Sequence, residues 1–174
     1  MIISMTPYRI SLFGGGTDYP AWYRENGGAV LSTSINKYCY ITCRYLPPFF
    51  HYKHRFVYSD IENVVNTSEI KHPAIKGVLE SMKWEKGLEI HHDGDLPARS
   101  GLGSSSSFTV GLLNALTALR GEQLSNKNLA GKAINIEQNI IKEAVGSQDQ
   151  IASAYGGFNK IKFERDSSFD VQPI

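Results

Sequence analysis

At 174 residues, with 41% hydrophobic and 20% charged side chains, the chain carries enough apolar material to build one cored domain and too much to stay disordered. Eighteen basic residues against seventeen acidic leave a net charge of +1, so no long-range field draws it to nucleic acid or to an anionic membrane, and any phosphate it binds must be held locally. No apolar run reaches the length of a membrane span, and "MIISMTPYRIS" has neither a basic leader nor a cleavage site, so the expected location is the cytoplasm.

In chain order, "MIISMTPYRISLFGGGTDYP" begins as a strand and ends in a Gly-rich turn, and "YPAWYRENGG" reads as a short helix stopped by Gly27 and Gly28. Residues 29–45, β-branched and aromatic, predict two strands joined by a tight turn near Asn36 and Lys37. Within them Cys39 and Cys43 fall on one strand face and read as core; no second ligand pair at matching spacing supports a zinc site. "HRFVYSD" is a third strand. The spacing of Ile75, Val78, Leu79 and Met82 predicts a helix, with Pro73 near its start. "GLEIHHDGDLP" returns to a strand. After "LPARSGLGSSSSF" a helix follows, with Val110, Leu113, Leu116 and Leu119 near one stripe and Gly121 at its end. A second helix is predicted over 126–144, with Ala130, Ala133, Ile134, Ile140 and Ile141 mostly inward. "GSQDQIASAYGG" reads as a loop and short helix, and the last 17 residues as a β-hairpin. Strands first and paired helices later predict an α+β domain with its helices on one face of the sheet.

"LPARSGLGSSSSF" has a linker's composition but not a linker's position, because it runs from a strand straight into an apolar helix. A loop that opens a helix exposes backbone N–H groups at the positive end of the macrodipole, which suits an anion. Gly101 and Gly103 let the backbone approach a phosphate closely, and Ser104 to Ser107 offer hydroxyls. There is no Walker lysine, no third glycine of a dinucleotide fingerprint and no hydrolase elbow. The loop therefore reads as a lysine-free phosphate cradle whose countercharge comes from Mg²⁺ and from elsewhere in the chain.

Pro97 followed by Gly-Leu-Gly-Ser-Ser at 101–105 resembles the second motif of the GHMP small-molecule kinases, the superfamily of galactokinase, homoserine kinase and mevalonate kinase. "TPYRISLFGGGTDYP" resembles the first motif of its sugar-kinase members, and "IEQNIIKEAVGSQDQIASAYGG" their Glu helix and catalytic-Asp loop. Among these the chain looks most like the bacterial D-glycero-D-manno-heptose 7-phosphate kinases, over residues 1 to about 163. The resemblance implies a two-layer domain like ribosomal protein S5 domain 2, with a mixed sheet. It implies an ATP- and Mg²⁺-dependent kinase that phosphorylates the anomeric hydroxyl of a sugar phosphate on the route to GDP-heptose for surface polysaccharide.

By the same resemblance Asp149 is the general base and Arg9 the arginine near the transferred phosphoryl. Asp18, with Gly15, Gly16 and Thr17, grips the sugar. Ser105 and Glu137 hold Mg²⁺, and Pro97 with Gly101, Leu102, Gly103, Ser104, Ser105, Ser106 and Ser107 form the nucleotide loop. The chemistry agrees, since phosphoryl transfer asks for positioning, charge neutralisation and a carboxylate beside the acceptor hydroxyl. Taken singly, each of these residues has an ordinary reading: a turn cap for Asp149, a solvated helix position for Glu137, a surface strand residue for Arg9.

Gly15 and Gly16 stand where galactokinase has Glu-His, which argues against galactose and for a larger or already phosphorylated sugar. Arg24, Lys37 and Arg44 are candidates for its phosphate. Nothing after "SSFDVQPI" resembles the family's third motif, so the expectation is an N-terminal domain over 1–174, with weak nucleotide binding, little turnover and an apolar face open to homodimerisation. The rival readings are another GHMP sugar 1-kinase, fucokinase-like, and an RNA-binding module built on "RYLPPFFHYKHRF", which the near-zero charge disfavours.

Overall fold

The computed structural model describes residues 1–98 and 100–174. Among them the chain forms β1 (Ile2–Phe13), α1 (Pro20–Asn26), β2 (Gly28–Tyr45), β3 (His54–Val57), β4 (Ile61–Val64), α2 (Pro73–Ser81), β5 (Leu88–Gly94), α3 (Ser104–Leu119), α4 (Asn126–Asn135), α5 (Gln148–Tyr155), β6 (Phe158–Phe163) and β7 (Phe169–Pro173). The strands make one seven-stranded sheet, with β3 and β5 parallel and every other pairing antiparallel. This is the two-layer α+β fold expected. No helix of the described residues is long and apolar enough to cross a membrane.

β2 is the spine. One of its edges pairs with β1, while the other serves β6 along residues 28–33 and β5 along residues 39–45. The turn predicted near Asn36 and Lys37 is therefore not a turn. The register with β1 jumps from Pro7↔Tyr38 to Arg9↔Ser34, so the chain bulges and continues as one 18-residue strand. Polar residues at that point mark the place where β2 changes neighbours.

The bulge also re-aims β1. Ser4, Thr6 and Tyr8 alternate inward as a strand should, and then Arg9, next in sequence, turns inward as well. β4, absent from the sequence reading, is a short strand paired to β3.

The core lies between sheet and helices, with Ile41, Cys43, Phe56, Leu88 and Ile90 from the strands meeting Ile75, Val78, Leu112, Leu113 and Leu116 from α2 and α3. Cys39 and Cys43 are free and fully buried, as expected of core residues. α3 approaches β1 closely: Ser4 Oγ donates to Gly111 O at 2.9 Å, and a Cβ on Gly111 would lie 2.7 Å from Thr6 Oγ1. A smaller cluster of Tyr23, Val30, Ile151, Ile161 and Phe163 holds α1 and α5 to the β6 end of the sheet.

The helix predicted over 126–144 ends sooner. α4 stops at Asn135 and passes into a π-helical turn, Ile136–Ile140, closed by Ile141 N donating to Ile136 O at 2.8 Å. Ala130 and Ala133 face inward as predicted, whereas Ile140 is exposed and Ile134 and Ile141 only partly buried. The wider turn shifts the phase of the inward face, so that Ile136 and Glu137 are buried side by side.

The β2–β3 connection packs its own rings, Phe50 stacked on Tyr52 at 5.3 Å and tilted against Phe49 at 4.6 Å between centroids.

Candidate active site at the head of α3

The serine loop enters α3 through Gly103, whose φ of 76° is left-handed and which makes no side-chain cap. Arg9 ties this loop down from below. Its backbone N donates to Leu102 O (3.1 Å) and its Nη1 to Gly101 O (2.9 Å), while Nε and Nη2 donate to the two carboxylate oxygens of Asp149 at 2.7 and 2.8 Å. This fork-to-fork pairing fixes the direction of both side chains. A Cβ on Gly103 would lie 3.3 Å from Arg9 Cγ and 3.4 Å from Asp149 Oδ2, so loop, cation and acid are in contact. Burial pushes the Asp149 carboxyl above the ordinary range, with Arg9 pulling the other way and Asp18 adding to the rise.

Glu137 reaches the same helix end from the π-turn. It is buried, and its Oε2 accepts from Ser106 Oγ at 2.8 Å and from Gln150 Nε2. Its Oε1 is buried with no hydrogen-bond partner among the described residues. Burial raises its pKa, against the pull of the nearby Thr109 hydroxyl, Gln150 and Ser106; the Thr109 proton goes to Ser105 O at 3.3 Å, which leaves Oε1 without a donor among the described residues. A bare, buried carboxylate oxygen suits a hard divalent cation, so Glu137 fits the Mg²⁺ that the family implies.

The four serines divide. Ser106 is spent on Glu137, and Ser107 bonds Pro7 O and Ser153 Oγ, both at 3.0 Å, so it fastens α3 to β1 and α5 rather than lining the loop. Ser105 is exposed on the first turn, and Ser104 is half-buried. The hydroxyl bonded to Glu137 is thus Ser106's, while Ser105, expected with Glu137 at Mg²⁺, keeps its hydroxyl on the exposed side of the turn. Pro97 is exposed and Leu102 packs on the edge of the main core.

Asp18 is placed differently from a residue open to a sugar. It is 1% exposed; Oδ1 accepts from Gly16 N and Oδ2 from Gln148 N, while its backbone O accepts from Ser147 N. Gly146 makes room for it, since a Cβ there would sit 1.8 Å from Asp18 Oδ2. Asp18 therefore clamps the Gly-rich turn to the segment that opens α5 and aims Asp149. Thr17 closes the same turn, donating to Gly14 O at 2.7 Å and accepting from Ala29 N at 3.2 Å. Gly15 and Gly16 are exposed, and nothing lies within 4 Å of a Cβ on Gly16. Of the three cations considered for a sugar phosphate, Arg24 bonds Ser167 at the β6–β7 turn and Arg44 pairs with Glu89; Lys37 sits exposed in the β2 bulge opposite β1.

Two groups escaped the sequence reading. Gln150 joins Glu137 across 13 positions, a pairing that only the fold brings about. An aromatic cluster lies at the first turns of α3, where Phe108 stacks on His72 (4.8 Å) and takes His92 edge-on (5.0 Å).

A seven-stranded mixed sheet, a Gly-Ser loop opening α3, and an Arg-Asp pair and buried Glu converging on that loop make up an α+β domain of the small-molecule kinase class. The family description "GHMP kinases N terminal domain" matches residues 68–157, just over half of the chain, and the chain belongs to that family. It is 29% identical to the D-glycero-alpha-D-manno-heptose 7-phosphate kinase of Campylobacter jejuni over 99% of its own length and 54% of that protein's. It is 27% identical to the bifunctional fucokinase/GDP-fucose pyrophosphorylase of Arabidopsis thaliana, covering 97% of this chain and 17% of that one. The crystal structure of a D-glycero-D-manno-heptose 1-phosphate kinase from Bacteroides thetaiotaomicron superposes with a TM-score of 0.90 at 28% identity, over 100% of this chain and 60% of the other. The chain thus spans about half the length of its heptose-kinase relatives, or a little more.

Proposed function

We propose that the chain is the ATP- and sugar-binding N-terminal domain of a kinase that transfers the γ-phosphoryl of ATP to the anomeric hydroxyl of D-glycero-D-manno-heptose 7-phosphate. The observation that carries this reading is the convergence of Arg9, Asp149 and Glu137 on the loop that opens α3. The loop backbone around Gly101 and Gly103 seats the nucleotide phosphates at the helix entrance. Glu137 and the exposed Ser105 hydroxyl would hold Mg²⁺, which when bound would supply neutralisation of the phosphate charge. Arg9 holds the loop and faces the transferred phosphoryl. Asp149 orients the acceptor hydroxyl and takes its proton as the sugar oxygen bonds to the γ-phosphorus and the bond to ADP breaks. Each Asp149 oxygen accepts one N–H from Arg9 and keeps a second lone pair for the sugar hydroxyl, so the pair orients the carboxylate while leaving it able to accept that proton. The Asp18 clamp sets the sugar side, and the open space over Gly16 leaves room for a heptose phosphate.

The relation to a fucokinase favours one second reading, an unphosphorylated sugar as acceptor. Binding separates the two. The chain is titrated with heptose 7-phosphate, fucose and galactose in the presence of a non-hydrolysable ATP analogue, with ADP release followed in parallel. The heptose reading expects the phosphorylated sugar to bind most tightly. Preference for fucose installs the second reading, and indifference to all three sugars removes both.

A further inference from the structure

We propose that Gln150 is a positioning residue for the divalent cation at Glu137, a role that rests on the kinase reading above. Gln150 is fully buried on the first turn of α5, next to Asp149. Its amide is used at one end only: Nε2 donates to Glu137 Oε2, while Gln150 Oε1 and Glu137 Oε1 are both buried and unpartnered among the described residues. Most buried side-chain polar atoms have a hydrogen-bond partner, and here two unpartnered acceptor oxygens belong to one hydrogen-bonded pair. The reversed amide would set oxygen against oxygen, so the donor end must face Glu137.

With Ser106 on one side and Gln150 on the other, Oε2 is occupied and the carboxylate is held in one orientation. That leaves Oε1 as the oxygen presented to a cation, with the bare Gln150 oxygen as a second acceptor in the same buried pair. Because Gln150 follows Asp149 on α5, one helical turn sets both the metal carboxylate and the proton acceptor.

The test uses Mn²⁺ as an EPR-visible probe with a non-hydrolysable ATP analogue, on the 174-residue chain, on the near-isosteric Gln150→Met and on Glu137→Gln. Gln150→Met is expected to weaken Mn²⁺ binding roughly ten- to hundredfold, as loss of an outer-sphere partner does. Its affinity for the metal-free analogue, measured in EDTA, should stay within about twofold. Loss of a merely structural contact would shift both affinities together. Unchanged Mn²⁺ affinity in Gln150→Met, with the site lost in Glu137→Gln, overturns the role of Gln150 and leaves the kinase reading intact. A Mn²⁺ affinity unaltered by Glu137→Gln overturns the metal assignment itself. Should Gln150→Met fail to fold, Gln150→Glu decides. A carboxylate pair bridged by the cation regains thermal stability when Mn²⁺ is added, and no Mn²⁺-dependent recovery contradicts the proposal.

Discussion

Arg9 and Asp149 are 140 positions apart in the chain and share two charge-assisted hydrogen bonds at the mouth of the loop. In the intact kinase, replacing Asp149 with Ala removes the proton acceptor and one partner of Arg9, which keeps its bonds to Gly101 and Leu102, so phosphoryl transfer should fall about 10²- to 10⁴-fold while nucleotide affinity changes less. Single-turnover kinetics beside a nucleotide titration check this; an unchanged rate moves the base elsewhere. Burial raises the Asp149 carboxyl above its ordinary value of 3.8, so the ionised form disappears as pH falls through a higher value than a free aspartate would show. The acid limb of the pH–rate profile should lie correspondingly high. His54 works on stability instead. It is buried on β3 with its pKa lowered from 6.5 to about 4 by desolvation, Lys53 adding to the effect. The unfolded chain takes up that proton near pH 6.5 and the folded chain only near 4, so this contribution is complete above 6.5 and is lost as pH drops toward 4, by about 3 kcal/mol at most. His54→Phe should flatten the pH dependence of the urea midpoint between 7 and about 4.5. At this scale the sequence shows Arg9, Glu137 and Asp149 because each stands inside a recognisable motif. Ser106 is visible only as one serine of the loop and Gln150 not at all, because their shared partner lies 31 and 13 residues away and only packing reveals it.

Among the elements, the loop and the π-turn carry the site, and they differ in how visible they are in the sequence. Gly103 marks its own conformation, since a residue at φ 76° against Arg9 and Asp149 has to be glycine. Gly103→Val should strain the loop and push its branches into the Arg9–Asp149 pair, abolishing nucleotide binding in a titration; retained binding would mean the phosphates sit elsewhere. The π-turn leaves no such mark, because "NIEQNIIKEA" continues the apolar spacing of a longer helix. What stops α4 is tertiary: α2 packs on this turn so closely that a Cβ on Gly77 would lie 2.8 Å from Ile141 Cγ1. Gly77→Leu should destabilise the chain by about 1–3 kcal/mol, read from denaturant unfolding. The continuous β2 was hidden for a related reason. Asn36 and Lys37 look like a turn because they are polar, yet they are polar because the sheet changes partners there.

For the molecule as a whole, the two-layer architecture was legible because apolar periodicity separates strands from helices almost throughout. The sheet order was not, since one strand serving three neighbours leaves no trace in spacing. β1 closes one side of that sheet and turns Ile3, Met5, Leu12 and Phe13 to solvent. A long apolar edge strand of this kind invites pairing with another copy. Light scattering should therefore detect concentration-dependent association that Met5→Lys reduces; a strictly monomeric wild type would contradict this. The central claim, that the head of α3 is the anion seat and both acids face it, is tested most directly by a ¹⁵N-HSQC titration of the chain with Mg²⁺ and a non-hydrolysable ATP analogue. The account predicts saturable shifts concentrated at Gly101, Gly103 and Ser105 and at the amides around Glu137 and Asp149. Saturable shifts clustered on another face, with these resonances still, would contradict it.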